Sequence, residues 1–258
     1  MALTDLIVDF GEFILDGIDA LGKFILFLLN ALWYAVVPPY KPRLTIRQIR
    51  IIGAESFFLI VLVSAFTGMV LGLQGYNSLR RFGSEGVLGT LVALTLVREL
   101  GPVLAALMIA ARAGSAMAAE LGSMQSTEQI DALTVMAINP VQYLVSPRVL
   151  AGIFSFPILT AIFDVIGIWG GYVVGVDLLH APGSSYMSGI AYNMTSRDIM
   201  TGIYKSLVFG VVVIWVCCYK GYNAQRMATG VSRATTEAVV LSSVLILAFD
   251  YFLGAVML

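Results

Sequence analysis

Long apolar stretches recur along this 258-residue chain and constrain its fold more than any other feature. A helix rises about 1.5 Å per residue, so about 20 apolar residues cross the roughly 30 Å hydrocarbon core of a bilayer. Five stretches reach this length, near residues 53–75, 87–112, 149–177, 201–219 and 238–258. Because backbone polar groups in lipid must be satisfied internally, the chain is predicted to be an all-α integral membrane protein with about five transmembrane helices.

The composition excludes the soluble classes of protein. Apolar residues make up 59% of the chain and charged residues 12%, whereas soluble domains contain about 25% charged residues. This apolar content also excludes disorder. The two cysteines, Cys217 and Cys218, are adjacent in an apolar run and do not suggest a disulfide scaffold. The formal charge of -1 does not suggest a nucleic-acid partner.

The first 50 residues are predicted to form amphipathic and interfacial helices ahead of a transmembrane region over residues 51–258. Acidic residues recur every three or four positions opposite an apolar face, as in a helix on the membrane surface. They are Asp5, Asp9, Glu12, Asp16 and Asp19. The apolar run over residues 21–37 contains Lys23 and ends at Pro38-Pro39, so it fits either a sixth span or an interfacial helix.

Basic residues predict the orientation, because loops rich in Lys and Arg stay in the cytoplasm. With five spans and a cytoplasmic N-terminus, nine basic residues fall on the cytoplasmic side and three on the opposite side. The nine are Lys41, Arg43, Arg47, Arg50, Arg112, Arg148, Lys220, Arg226 and Arg233, and the three are Arg80, Arg81 and Arg197. This bias predicts a C-terminus outside the cytoplasm.

Ionisable residues occur within the predicted spans, where each costs a few kcal/mol unless it faces a cavity or a partner. They are Glu55, Arg98, Glu99, Asp164, Lys205 and Asp250. Arg98 and Glu99 point about 100° apart around their helix and therefore need different partners. Lys205 lies at a similar depth in the membrane to Glu99 and Asp250, so it can pair with either carboxylate. Such a pair either handles a polar substrate or only orients helices.

Glycines spaced by four residues predict close packing of helices. Gly167, Gly171 and Gly175 form two overlapping GxxxG units, and Gly68 with Gly72 forms another. Small residues let membrane helices approach each other closely. The motif is common in apolar helices, so alone it is weak evidence for a homodimer.

The segment between the second and third spans is too polar to cross a membrane but has a helical pattern. Thr127 can cap a helix, and Glu128 and Asp131 favour its first turn. The pattern predicts a short cytoplasmic helix that ends at Asn139-Pro140. Such a helix can dock into a cytoplasmic partner, or it can be an interfacial connector.

Some catalytic motifs are absent from the sequence. There is no GxxxxGK[ST] phosphate loop, so the chain cannot hydrolyse ATP by that route. His180 is the only histidine and is predicted to lie in an outer loop, which leaves no base for Ser-His chemistry and too few ligands for a His/Cys metal site.

Three segments closely resemble the MlaE family of bacterial lipid-transport permeases. They are GMVLGLQGY at 68–76, LVALTLVRELGPVLAALMIAARAGSAMAAELGSM at 91–124 and TEQIDALTVMAINPVQYLVSPRVLA at 127–151. The resemblance covers roughly residues 45–258, and the combination of RELGP, ARAGSA and TEQIDAL is specific to it.

The resemblance implies the permease subunit of an ABC transporter that moves phospholipid between the inner membrane and a periplasmic carrier, maintaining outer-membrane lipid asymmetry. It implies a homodimer, a cytoplasmic ATPase that binds ATP and Mg, a periplasmic MCE-domain protein and a small STAS-domain subunit. The family's coupling helix then falls at about residues 120–138, with Glu120, Glu128 and Asp131 as candidate coupling residues.

A lipid pocket needs apolar walls and a few polar groups at the depth of the headgroup. The predicted pocket residues are Leu71, Leu79 and Phe82 for acyl chains, Tyr76 near the interface, and Arg98, Glu99, Lys205 and Asp250 as polar groups. Two alternatives stay open. A proton-coupled secondary transporter can use Glu99, Asp164, Lys205 and Asp250 as a relay. An intramembrane aspartyl protease can use Asp164 and Asp250, although neither has the YD or GxGD context of such proteases.

Overall fold

The computed structural model describes residues 2–37 and 41–257, with side chains from residue 15 onward. All regular structure in these residues is helical, which confirms the predicted all-α class. The helices are α1 (Ala2–Val36), α2 (Pro42–Ile52), α3 (Phe57–Arg80), α4 (Glu85–Ser126), α5 (Gln129–Val135), α6 (Val141–Leu178), α7 (Gly183–Asn193), α8 (Ser196–Tyr222) and α9 (Ala228–Met257). Within this part of the chain, five stretches are long and apolar enough to cross a membrane: Pro42–Arg80, α4, α6, α8 and α9.

Helix α4 continues to Ser126, well past the predicted end of the span at residue 112. The prediction treats Arg112 as a residue at the membrane boundary. In the structure its guanidinium donates to the Ile51 carbonyl and pairs with Glu55 at 2.8 Å. Because these contacts satisfy the charge within the protein, the helix does not have to end there.

The predicted helix over residues 120–138 is two separate helices in the structure. The first part belongs to α4, Glu128 then has a positive φ of 58°, and α5 follows over only Gln129–Val135. Thr127 does not cap α5, because its hydroxyl donates back to the Ser123 carbonyl of α4. A residue with positive φ cannot continue a right-handed helix, so the chain turns at Glu128.

The side chain of Asn139 caps the start of α6, and α5 has already ended at Val135. The Asn139 side-chain oxygen accepts the backbone N–H groups of Val141 and Gln142, at 3.0 and 3.3 Å. Asn is a favoured N-cap, and the Pro140 that follows fits the first turn of a helix. The helix that contains the predicted third span therefore begins at Val141, eight residues before residue 149.

Helices α3 and α6 pack with their backbones in contact. Gly68 and Gly72 of α3 lie against Gly167 and Gly171 of α6, and a Cβ at Gly68 would overlap the Gly167 carbonyl. Gly175, one turn further, packs against a leucine of α4. The predicted close packing is confirmed, and it joins helices of the same chain.

Helix α8 begins part-way down the bundle. Asp198 in its first turn pairs with Arg98, which lies about 20 Å along α4 from Glu85 at 1.5 Å per residue. Helix α7 packs beside the N-terminal part of α4, and its buried Tyr186 donates to the Ile168 carbonyl at 3.0 Å. Burial raises the pKa of the Tyr186 phenol, so the hydroxyl remains a donor at neutral pH.

The predicted amphipathic helix and the run over residues 21–37 belong to one continuous helix, α1, which packs against α6 and α8. Phe24 stacks on Trp215 with ring centroids 3.9 Å apart, and the Trp215 indole donates to the Phe24 carbonyl at 2.9 Å. Of the acidic stripe, Asp16 and Asp19 are exposed. The side chains of the other three acids lie outside the described residues.

Candidate functional site

Three charges from three helices form an ion-pair cluster inside the bundle. Lys205 of α8 has a side chain that is 0% exposed, and its Nζ lies 2.5 Å from Glu99 of α4 and 2.9 Å from Asp250 of α9. Both predicted pairs are therefore confirmed, and they share one lysine. Since one ammonium faces two carboxylates, the formal charge of the cluster is negative.

Arg98 forms a second, separate ion pair. Its Nε and Nη2 lie 2.7 and 2.6 Å from one Asp198 oxygen, while the other oxygen accepts the Thr195 backbone N–H and hydroxyl. Thr195 and Asp198 form a capping box at the start of α8. Asp198 is missing from the sequence prediction. The T-x-x-D spacing ahead of an apolar run is the signal that could have found it.

Arg98 and Glu99 lie in a widened, π-helical turn of α4, Leu96–Leu100. The Gly101 N–H donates to the Leu96 carbonyl five residues earlier. Pro102 follows and has no N–H to donate. Such turns within α-helices frequently occur at functional sites. Here the turn carries two sequence neighbours to different partners on α8, as the angular argument predicts.

A cavity of about 460 Å³ opens beside the ion pairs. It is lined by Arg98, Glu99, Thr195, Arg197, Asp198, Thr201, Gly254 and Met257. We call it the outer cavity, because it lies where α8 begins and α9 ends. Its volume is in the range of about 300–1,000 Å³ that is usual for ligand pockets.

Two guanidinium groups line the outer cavity. Arg98 keeps 44% of its side chain exposed despite its ion pair. Arg197 donates to the Met257 carbonyl at 3.3 Å and has no acidic partner among the described residues. Gly254 leaves space beside the cluster, since a Cβ there would lie 3.7 Å from Lys205 Nζ and 3.9 Å from Glu99. The cavity can therefore receive an anionic group.

The four predicted residues in the C-terminal part of α3 and just after it do not line this cavity. Leu71 and Leu79 are half-buried and pack on the core, and Tyr76 is buried within the chain. Phe82 is 82% exposed. The structure brings Arg98 and Glu99 to the outer cavity and leaves the predicted acyl-chain residues on another part of the chain.

The three candidate coupling residues each have a basic partner. Glu120 pairs with the buried Arg148 of α6 at 2.7 Å. Asp131 of α5 lies 2.6 Å from Arg226, and Glu128 lies 3.6 Å from the same guanidinium. Arg226 belongs to the connection between α8 and α9, so α5 is attached to the end of α8 and the start of α9.

Asp164 and Asp250 do not form a carboxylate pair. Asp250 is hydrogen-bonded to Lys205, whereas Asp164 Oδ1 lies against Gly101 and has no hydrogen-bond partner among the described residues. A shared proton between the two carboxyl groups is the requirement of an aspartyl protease site. The geometry does not support that alternative.

Five long apolar helices define a multi-pass membrane protein, and ionisable residues inside such a bundle commonly mark substrate or ion pathways. The permease MlaE family model matches residues 45–256. The chain is 41% identical over 257 residues to the intermembrane phospholipid transport system permease protein MlaE of Haemophilus influenzae, covering 99% of this chain and 98% of that protein.

Two further relatives extend the comparison. A probable ABC transporter permease protein of Rickettsia bellii is 43% identical over 235 residues, which is 91% of each chain. The protein TRIGALACTOSYLDIACYLGLYCEROL 1, chloroplastic, of Arabidopsis thaliana is 34% identical over 83% of this chain and 61% of its own length. The chain belongs to the MlaE permease family, whose members are transport components of ABC transporters and not catalysts.

Proposed function

We propose that the chain is the inner-membrane permease subunit of an ABC transporter that passes phospholipid between the inner membrane and a periplasmic MCE-domain carrier. The observation that carries the proposal is the outer cavity, where Arg98 and Arg197 lie beside a buried ion-pair cluster. A cytoplasmic ATPase supplies ATP hydrolysis with Mg, two copies of the chain form the permease, and a STAS-domain subunit completes the complex.

In the outer cavity the lipid phosphate is held by two guanidinium groups. Arginine binds phosphate well because its planar N–H groups match the phosphate oxygens. Among the described residues Arg197 donates only to a backbone carbonyl, so a phosphate can take over its donors without breaking an ion pair within that part of the chain. Arg98 stays in place because Asp198 holds it. The acyl chains leave the cavity for the bilayer.

The ion-pair cluster lies next to the bound headgroup, and its ion pairs change strength when the headgroup binds. Glu99 lines the outer cavity and pairs with Lys205. A phosphate that enters beside Glu99 therefore weakens the attraction between Glu99 of α4 and Lys205 of α8. Lys205 remains paired with Asp250. The cluster therefore couples occupancy of the cavity to the packing of α4 against α8 and α9.

Coupling to the ATPase runs through the cytoplasmic end of α4 and through α5. Arg226 holds Asp131 and Glu128, and Arg148 holds Glu120. A push on α5 is therefore transmitted to the α8–α9 connection and to α6. Changing Asp131 to Asn is expected to lower lipid transfer without loss of assembly, and unchanged coupling of ATP hydrolysis to transfer would count against this route.

The first experiment is purification of the tagged chain from its native membrane in nanodiscs, with mass spectrometry of the proteins and lipids that accompany it. Recovery of an ATPase, an MCE-domain protein and phospholipid supports the proposal. A proton-coupled transporter would instead move its substrate without an ATPase and stop when the proton gradient collapses. Recovery of the chain alone, under conditions that keep other membrane complexes intact, would contradict the ABC assignment.

The outer cavity is tested by filling it. Gly254→Leu places a side chain beside Lys205 and Glu99 and is expected to lower phospholipid retention in the purified complex at least about tenfold, which is about 1.4 kcal/mol of binding. Gly254→Ala is the matched control, because its Cβ would lie at ordinary contact distances of 3.7 and 3.9 Å. Equal retention in both variants would exclude this cavity as the lipid site.

A further inference from the structure

A second cavity, of about 200 Å³, lies between α4, α6 and α8. Its lining is mostly apolar, and it opens toward the bilayer past Val165 and Ile199, which are 65% and 46% exposed. We call it the side cavity. It shares no lining residue with the outer cavity.

A carboxyl group without a counter-charge lines the side cavity. Asp164 Oδ1 is buried and has no hydrogen-bond partner among the described residues. The group lies against Gly101, where a Cβ would overlap it. Arg98 is paired with Asp198, and Lys205 is paired with Glu99 and Asp250. Neither of these cations is paired with Asp164. A lone carboxylate in an apolar interior costs several kcal/mol, and this cost is avoided when the group takes up a proton or binds a cation.

Among the described residues, two further members of the same lining carry oxygens without a hydrogen-bonding partner in their own helix turn or side chain. Thr160, one turn before Asp164, is 3% exposed, and its hydroxyl has no partner among the described residues. Val97 also lines the cavity, and its carbonyl faces Gly202 of α8. In the π-helical turn this carbonyl would receive the N–H of residue 102, but that residue is proline. Hydrogen-bond acceptors therefore predominate at the polar end of the side cavity.

We propose that the side cavity binds a monovalent cationic group, held by the Asp164 carboxylate, the Thr160 hydroxyl and the Val97 carbonyl. A single carboxylate balances one positive charge, and carbonyls released at helix breaks are known ligands for Na⁺ in membrane proteins. Two sources share this chemistry: Na⁺ from solution and the primary ammonium of a lipid headgroup that enters from the bilayer. The proposal is independent of the lipid-transport proposal, because it concerns binding in a different cavity.

The test uses the full chain in nanodiscs of phosphatidylglycerol. Exchange of choline chloride for sodium chloride at constant ionic strength is expected to raise Tm by about 5 °C once sodium is near 100-fold over its Kd. Radioactive sodium is expected to bind in a scintillation proximity assay. In a second arm, phosphatidylethanolamine nanodiscs in choline buffer are expected to give the same rise if the ligand is the lipid ammonium.

Matched variants decide between a site and a general salt effect. Asp164→Asn and Thr160→Val are each expected to lose the rise in Tm and at least about tenfold in affinity, which is 1.4 kcal/mol. Asp177→Asn, an exposed carboxylate on the same helix, is expected to keep both. If Asp164→Asn does not fold, Thr160→Val carries the test. The proposal is overturned if neither sodium nor phosphatidylethanolamine changes Tm, or if a folded Asp164→Asn variant keeps the response.

Discussion

At Lys205, a full positive charge is removed from water, which costs several kcal/mol unless carboxylates surround it. Glu99 and Asp250 supply that compensation from two other helices. The sequence can predict this pairing, because the depth of each residue along its span follows from counting. The sequence cannot predict that one lysine takes both partners, since that depends on how α4, α8 and α9 converge.

Removing Lys205 alone should destabilise the chain more than removing the whole cluster. Lys205→Met leaves two unpaired carboxylates, and we expect a loss of about 2–4 kcal/mol, reduced by the partial exposure of Glu99. The combined variant Lys205→Met, Glu99→Gln, Asp250→Asn is expected to recover most of the Tm in detergent. If that variant also transfers phospholipid at the original rate, the cluster only orients helices.

At the scale of elements, the helices are predictable and their ends are not. Apolar length identifies α3, α4, α6, α8 and α9. Their ends depend on contacts with distant residues. Arg112 pairs with Glu55 and Arg148 with Glu120, and the helices α4 and α6 extend beyond these arginines. Asn139 is ambiguous in sequence, because the same residue type can end one helix or begin the next.

The close contact between α3 and α6 leaves no space for a Cβ at Gly68. Gly68→Ala would force the two backbones apart at Gly167, and we expect a loss of about 1–3 kcal/mol, seen as a lower Tm. Gly22→Ala in α1 is the control, because its Cβ would have no neighbour within 4 Å and alanine favours a helix by about 0.5–1 kcal/mol. Equal stability of Gly68→Ala and the original chain would contradict the backbone contact.

At the scale of the whole molecule, the outer cavity is the part that sequence could not predict. Arg98 and Glu99 are recognisable as charges in a span. Arg197 and Met257 reach them only because α8 begins beside Arg98 and α9 ends there. The acyl-chain residues are predicted because they are apolar and lie near the end of a span. Apolar character does not specify which cavity a residue adjoins.

The orientation of the whole molecule can be measured with single cysteines. Cys217 and Cys218 are both 0% exposed, so the native thiols give little background. In right-side-out vesicles, a membrane-impermeant maleimide is expected to label Arg81→Cys and Val256→Cys, whereas Asn223→Cys should react only after permeabilisation. These three positions are exposed in the structure. The reverse pattern would contradict a C-terminus outside the cytoplasm.

The ion pairs of Lys205 also constrain the timing of membrane insertion during synthesis. Glu99 precedes Lys205 by 106 residues, and Asp250 follows it by 45. Chains are synthesised at about 5–20 residues per second, so Lys205 is translated about 5–20 s after Glu99. During that time α4 carries uncompensated charges into the insertion machinery, where each costs about 2.5–3.5 kcal/mol at mid-span. The nascent helix should therefore remain at the translocon until α8 emerges, and chains truncated after α6 should be rapidly degraded.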